Sequence, residues 1–354
     1  MQTDQTTELR ERLLAAAGSR DPLLIQGSGS KAFLGRTTTG KPLDVTGHRG
    51  ILNYQPKELV ITARCGTPLT EIEDALTAEG QHLPFEPPHF GPGATIGGAI
   101  ATGLSGPARP YSGAARDLVL GVRVLTGKGQ VLRFGGEVMK NVAGYDISRL
   151  MTGAMGTLGV LLDVSVKVMP CPAAQRTLVQ ENSAARAIEQ MNTWAGKPLP
   201  ITATCFDGKR LYVRLAGTET AVTRFASEVG GEPVDAAQDI WDSRLREQQH
   251  SFFAGDMPLW RLSVPQPAPP VDLPGRQLIE WGGAQRWLRS DAAAESIREA
   301  VTRIGGHATL FRGGDHSMQV FHPLPPALLS LHQRLKQAFD PEGLLNPGRL
   351  YAEL

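Results

Sequence analysis

Two stretches of this chain hold almost nothing but small residues, and each adjoins a predicted strand or helix. The first, Gly27-Ser28-Gly29-Ser30, follows directly on the apolar run Pro22–Gln26, which reads as a buried strand. The second spans 84–106, PFEPPHFGPGATIGGAIATGLSG, and carries few bulky side chains. A chain with such segments beside regular elements must either turn tightly there or bring bare backbone close to something else. Glycine is in excess overall, 40 of 354 residues, against a usual share of roughly 7%. The glycines lie among Val, Ile and Leu, so they are not a linker.

Other bulk properties narrow the field. The length suits two or three domains, and a hydrophobic share of 41% is ordinary for a chain with a real core. A net charge of +1 with interspersed signs argues against nucleic acid or an anionic membrane as the main partner. Cys65, Cys171 and Cys205 have no CxxC spacing, so a disulfide framework, a zinc site and a cysteine-ligated iron–sulfur cluster are not expected from this chain. A reducing, cytoplasmic compartment fits. The opening MQTDQTTELRERLL has no apolar signal region, and no run of about 18 apolar residues suggests a span.

Periodicity gives the coarse order of elements. Residues 8–17 read as a helix with Gly18 at its C′ position; 22–26, 43–46 and 58–64 read as strands. Thr67 is the expected N-cap of a helix that Gly80 stops. Residues 118–136 read as a strand pair around Gly127-Lys128-Gly129. Asp146 is expected to cap a short helix, and 157–170 is a long strand ending at Pro170-Cys171-Pro172, where a domain boundary falls. Beyond it, helices at 183–194, 218–229, 238–249 and 292–304 alternate with strands at 201–206, 210–217, 259–264, 277–281 and 286–290, a ferredoxin-like α+β mixture. A last helix covers 326–339, and no internal repeat is visible.

Three readings compete for the glycine loops. Gly27-Ser28-Gly29-Ser30-Lys31-Ala32 satisfies the weaker dinucleotide pattern G-x-G-x-x-A, but loop residues follow where a helix should open. Gly35–Lys41 nearly matches a phosphate-binding P-loop, yet Pro42 stands where a metal-binding hydroxyl belongs. The third reading is a strand-and-loop whose consecutive amides hold a pyrophosphate with no helix behind them, closed by the second segment. Two glycine-rich turns without any ligand are the plain alternative.

The residues also resemble a known family. Ile25–Ser30, Gly93-Ala94-Thr95-Ile96-Gly97-Gly98-Ala99-Ile100-Ala101-Thr102, Tyr111–Leu118 and Gly153–Val160 resemble the vanillyl-alcohol-oxidase superfamily, with its PCMH-type FAD-binding fold. Phe339–Gly348 is similar to the end of that family's 2-hydroxyacid dehydrogenases, and Gly135–Asp146 is similar to the flavin subunits of glycolate oxidase complexes, in particular the smaller one. The resemblance implies an α+β chain: a two-lobed FAD domain at 1–172, a smaller ferredoxin-like cap at 173–322, and a segment 323–354 returning to the FAD domain. It implies an FAD-dependent oxidoreductase acting on CH–OH groups. The reaction would be oxidation of glycolate and similar 2-hydroxy acids to glyoxylate and its analogues. Partners would be a larger FAD-binding catalytic subunit and an iron–sulfur subunit, with membrane contact, at the inner face of the cell membrane, only through them. A stand-alone 2-hydroxyacid dehydrogenase and a non-catalytic assembly subunit are the alternatives.

The implied FAD contacts are Gln26, Gly27, Ser28, Gly29, Ser30 and Lys31; Gly93, Thr95, Ile96, Gly97, Gly98, Ala101 and Thr102; Ser112, Arg116 and Asp117; Gly153, Gly156, Gly159 and Val160; and Asn346. Thr95 sits where an N-cap belongs, and free N–H groups at that helix start would favour a phosphate or a flavin carbonyl. Arg116 and Asp117 read equally as a local salt bridge. The loop lacks His and Cys, so the FAD is expected to be non-covalent. For chemistry, the family's His-x-Gly-Asp-Gly-Asn-x-His motif has only a scrambled counterpart in Phe311–His322. His307, Arg312, His316 and His322 are the candidate base, carboxylate holder and metal ligands, and no metal is assigned.

Overall fold

The computed structural model describes residues 3–136, 146–235 and 237–354. Residues 137–145, on which part of the family resemblance rests, lie outside the described residues. The chain forms two compact units, Met1–Leu104 with Ala114–Pro170 and His316–Leu354, and Ser105–Gly113 with Cys171–Asp315. The expected bounds differ from these in three places. The division falls at Pro170, the return begins at His316, and 105–113 leaves the first unit for the second.

In unit 1, helix α1 (Thr6–Ser19) buries Leu9, Leu13 and Ala16. Gly18 lies inside it, and Arg20 takes the left-handed capping conformation (φ 55°) expected of Gly18. Strands β1 (Leu23–Gln26) and β2 (Lys41–Asp44) pair in parallel. Strand β3 (Ile51–Gln55), which the sequence did not suggest, pairs with β4 (Val60–Arg64). Helix α2 (Leu69–Ala78) starts after Pro68. Thr67 is not its cap: its hydroxyl accepts from the Gly50 amide and donates to the Arg64 carbonyl. Then come β5 (Gln81–His82), α3 (Ile96–Thr102), and, in unit 2, α4 (Arg109–Ser112). Unit 1 resumes with α5 (Ala115–Leu118), β6 (Val119–Leu125), β7 (Val131–Gly135), α6 (Ile147–Met151), β8 (Val160–Lys167) and β9 (Met169–Pro170). The Asp146 carboxylate accepts from the Arg149 amide, capping α6 as expected.

Among the described residues, β3-β4-β8-β6-β7 form one antiparallel sheet with β8 at its centre. That position explains β8's near-continuous burial, and its one buried charge is compensated. Asp163 pairs with Arg123 at 2.7 Å and with His48 Nε2 at 3.2 Å. The Gln5 amide donates to His48 Nδ1, so the ring proton lies on Nε2, toward Asp163. Two apolar clusters stand out among the described residues of the unit. One gathers Ile72, Leu76, Ile96, Ile100, Val122 and Val164; the other joins α1 to Leu23, Leu43, Leu125, Leu162 and Leu345.

Unit 2 carries β10 (Ala174–Glu181), α7 (Ala184–Ala195), β11 (Ile201–Phe206), β12 (Arg210–Gly217), α8 (Glu219–Val229) and β13 (Glu232–Pro233). Next come α9 (Ala237–Asp239), β14 (Leu259–Ser263), β15 (Arg276–Glu280), β16 (Gln285–Arg289), α10 (Ala294–Arg303) and β17 (His307–Arg312). The sheet order is β13-β10-β12-β11-β15-β16-β14-β17. Each half therefore orders its own four strands fourth, first, third, second, the ferredoxin-like arrangement expected of the cap. In the second half, residues 264–275 replace the first crossover helix. The halves meet edge to edge through Cys205↔Glu280 and Phe206↔Ile279. Helix α11 (Pro326–Phe339) belongs to unit 1. No helix among the described residues is long and apolar enough to cross a membrane.

Candidate functional site

The two small-residue stretches lie side by side in unit 1. A Cβ on Gly27 would meet Thr95 Oγ1 at 2.9 Å; one on Gly93 would come within 3.6 Å of Ser28, and one on Gly91 within 3.7 Å of Ser30. Lys31 fastens the pair. Its buried ammonium donates to the His89 carbonyl at 3.1 Å and lies 5.9 Å from the Phe90 ring centre. Past β1 the loop closes on itself through Ala32 N–H to Gly29 O and Leu34 N–H to Lys31 O. The amides of Gly27, Ser28 and Gly29 have no acceptor among the described residues. Gly29 has φ 77° with no atom within 4 Å of a built Cβ, so the loop is bare on that side. Gln26 gives its carbonyl to Val45 N–H, and its side chain is exposed.

Helix α3 differs from expectation. Thr95 does cap it, its hydroxyl accepting from Gly98 N–H at 3.1 Å. The expected free amides are absent, however. Ile96 N–H donates to Thr67 O, Gly97 N–H to Cys65 O and Ala99 N–H to Thr95 O. The helix start is therefore satisfied within the unit and offers no open anion site. Ile96 is a core side chain, 2% exposed. Gly97 faces inward, where a Cβ would meet Cys65 Cβ and O at 2.6 Å. The outward face is Gly98, Ala101 and Thr102, all half-buried, with the Thr102 hydroxyl turned back to Gly98 O.

The glycines of the third segment divide likewise. Gly153 (φ 85°) has open space, whereas a Cβ on Gly156 would strike Asn346 Nδ2 at 2.6 Å and one on Gly159 would strike Val124. Val160 is core on β8. Asn346 joins the segments without any spare side-chain group: its Oδ1 accepts from Ile25 N–H at 2.8 Å and its Nδ2 donates to Met155 O at 2.7 Å. Met155, at φ 50°, donates its own amide to Ala101 O. One buried amide side chain thus links β1, the turn and, through Met155, helix α3. Lys336 and Asp340 brace it from below. Lys336 pairs with Asp340 at 2.8 Å and donates to Thr157 O and Leu345 O. Burial lowers the Lys336 pKa, and Asp340 opposes that shift. Arg349 donates to Ala32 O and Arg36 O, so the chain's end laces the loop. Sequence reading did not single out Met155, Lys336, Asp340 or Arg349, although Met155 and Asp340 lie within the stretches Gly153–Val160 and Phe339–Gly348 that carry the resemblance.

The remaining candidates are divided between the two units. Ser112 lies in unit 2, its hydroxyl on Ala108 O. Asp117 accepts from Ala114 N–H, and Arg116 is 3.9 Å from it on the surface, the local pair the sequence allowed. The stretch 311–322 straddles the division after Asp315. His307 and Arg312 belong to β17 in unit 2. His316 Nδ1 meets Gly35 O at 2.8 Å, and His322 O accepts from Tyr351. Among the described residues no three His, Cys, Asp or Glu cluster as a metal site.

This geometry accords with the relatives. The family described as "FAD binding domain" matches residues 1–135, and "FAD linked oxidases, C-terminal domain" matches 313–350. Glycolate oxidase subunit GlcE of Escherichia coli (strain K12) is 53% identical over 351 residues, covering 99% of each chain. This chain belongs to the GlcE family of FAD-linked oxidases. FAD is its cofactor, and its class is FAD-dependent oxidoreductase. Glycolate oxidase subunit GlcD of Bacillus subtilis (strain 168) is 32% identical over 59% of this chain and 45% of its own length. Among solved structures, alkyldihydroxyacetonephosphate synthase superposes with a TM-score of 0.68 at 15% identity, covering 96% of this chain and 75% of its own, which shows the shared fold.

Proposed function

We propose that this chain is the smaller flavin subunit of a glycolate-oxidising complex. FAD is held non-covalently in unit 1, and electrons pass on to an iron–sulfur partner. Held by the Gly27–Ser30 loop, FAD would supply a two-electron acceptor able to pass electrons onward. The observation that carries the reading is the row of unspent amides at Gly27, Ser28 and Gly29, in a loop that Gly91 and Gly93 approach closely. Such a row suits a pyrophosphate, which takes N–H donors and tolerates no bulk. Asn346 and Lys31 position the loops and leave the cofactor to main-chain groups. The non-covalent reading draws support from Cys65: it lies buried beneath Gly97, and burial pushes its thiol well above the ordinary range, so it is no nucleophile. Near-complete coverage of GlcE supports the subunit reading over a stand-alone dehydrogenase. The larger flavin subunit and the iron–sulfur subunit are the proposed partners, and a cytoplasmic site with membrane contact only through them is the proposed location.

Ser28→Asp tests the loop. Ser28 is exposed, so the change adds a negative charge beside the amides without disturbing packing. Flavin absorbance of the purified protein should fall at least about tenfold, as expected from one repulsive charge at a bound phosphate, while circular dichroism stays unchanged. Undiminished flavin would remove the pyrophosphate assignment.

A further inference from the structure

The five-stranded sheet of unit 1 ends on β7, which pairs with β6 and has no other neighbour among the described residues. Hydrogen bonds at both ends of the pair fix which backbone groups point where. The Thr126 amide donates to Gln130 O at 3.0 Å, and the Gly136 amide to Leu120 O at 3.2 Å. Opposed residues of an antiparallel pair alternate between bonded and non-bonded. In the register Val124↔Leu132, Arg123↔Arg133 and Val122↔Phe134, Leu132 and Phe134 therefore spend their groups on β6, whereas Val131 and Arg133 turn N–H and C=O away from it. Those outward groups have no partner among the described residues. Val131, Leu132 and Arg133 are also exposed. An open edge of this kind is a template for another strand.

The edge has apolar support on both faces. Val131 and Arg133 project to one side, Leu132 and Phe134 to the other. Phe134 meets Phe339 edge-on, with ring centres 6.4 Å apart. Arg123, opposite Arg133, donates to the Thr6 hydroxyl of α1 at 2.7 Å, so α1 borders the Val131 face. There Leu14 of α1 stands 40% exposed, against Gly129. Charge decides what can use the edge. Between Asp117 and Glu137 the sequence carries Arg123, Lys128 and Arg133 and no acid. Arg123 is compensated by Asp163, whereas the exposed Lys128 and Arg133 have no ion pair among the described residues. A second copy added by two-fold symmetry would set its own Arg133 on the same face, directly opposite or diagonal, about 5–8 Å away, where like charges repel. Arg133 thus guards the edge against copies of this chain and suits a strand of opposite sign.

We propose that β7 receives an extended segment of another subunit as an added strand, with Asp or Glu opposite Arg133 and apolar side chains beside Val131 and Leu132. The main chain of that segment takes the outward N–H and C=O groups, and its acid takes the Arg133 guanidinium. That the segment comes from the larger flavin subunit or the iron–sulfur subunit rests on the function proposed above.

Hydrogen exchange at single-residue resolution tests this, on the isolated full-length chain and on its complex with those two subunits. In the isolated chain the Val131 and Arg133 amides should exchange freely, while those of Leu132 and Phe134 are protected. In the complex Val131 and Arg133 should slow at least about tenfold, the scale of one hydrogen bond, with Leu132 and Phe134 little changed. Arg133→Pro removes the outward N–H and the charge and leaves the bonds to β6 in place. It should weaken assembly at least about tenfold at unaltered flavin content, and Val131→Pro takes its place should it fail to fold. Arg133→Lys should assemble as the native chain does. Unslowed exchange at Val131 and Arg133 in the complex, full-strength assembly of a folded proline variant, or the same protection in a self-associated isolated chain would each overturn the proposal. A complex without the alternating protection fails here alone; a chain that assembles with neither subunit fails the subunit reading as well.

Discussion

Asn346 shows how much a single side chain can organise when both ends of its amide are engaged inside the fold. Its Oδ1 and Nδ2 join Ile25 to Met155, its own amide donates to Leu23 O, and it adopts φ 43° to do so. Asn is among the residues that tolerate this conformation. Asn346→Ala would leave a donor and an acceptor of the buried network unpaired. It should cost about 2 kcal/mol of unfolding free energy and reduce flavin retention, both measurable on one sample by urea denaturation and absorbance. A change within a few tenths of a kcal/mol would mean that the link is dispensable. Glycines next to it are equally specific in role. Gly156 makes way for Asn346, Gly97 for Cys65, Gly159 for Val124 and Gly98 for the capping hydroxyl of Thr95, while Gly153 keeps an open face.

Among the elements, α11 is unusual because its most buried residue is charged. Lys336 is 8% exposed and Asp340, just past the helix end, 1%. Asp340 also accepts from the Leu344 and Leu345 amides, so the pair ties the helix end to the strand-like stretch before Asn346. Removing one partner of such a pair leaves an uncompensated buried charge. Lys336→Met should therefore destabilise by about 3–5 kcal/mol, read as a lowered urea midpoint. The double variant Lys336→Met/Asp340→Asn should recover part of that loss. Helix α3 is also distinctive among the elements. Its first amides are consumed by Cys65 and Thr67, and its carbonyls at Ile100 and Ala101 accept from Gly153 and Met155, so stretches before and after it in the chain both hold it.

Across the whole molecule, unit 1 is assembled from three separated stretches, and the last is part of its core. Leu345 is fully buried with Leu23 and Leu43, and Leu23 bridges Leu345 in parallel. A chain ending at Asp315 should lose this cluster, Asn346 and Lys336 together. It is expected to be recovered without flavin and to unfold non-cooperatively, measured by thermal circular dichroism and absorbance; a flavin-bound, cooperative product would show that the last stretch is not integral. Unit 2 shows the opposite economy. Its two halves share one strand order without any repeat in the sequence, because ferredoxin-like topology needs only alternating apolar strands and connecting segments, not particular residues.

Much of this was legible in the sequence. Periodicity placed most helices and strands within a few residues, since alternation and 3.6-residue spacing report which face is buried. Strands β3, β10 and β17 escaped it. β10 is polar over much of its length, β3 is only five residues long with Asn53 and Gln55 among them, and β17 opens with His307 and ends at Arg312, so pairing rather than composition makes them strands.

Local sequence was enough to show that small-residue backbone would be presented at 27–30 and within 84–106, because residue size and glycine's conformational freedom are local properties. It also determined the FAD-linked family and the α+β class. Tertiary structure alone decided which of those glycines face outward, which amides at 96–99 are already spent, and which side chains from 336 to 349 hold the loops together. Those outcomes depend on contacts between residues as far apart as Ile25 and Asn346, and no local pattern encodes such a contact.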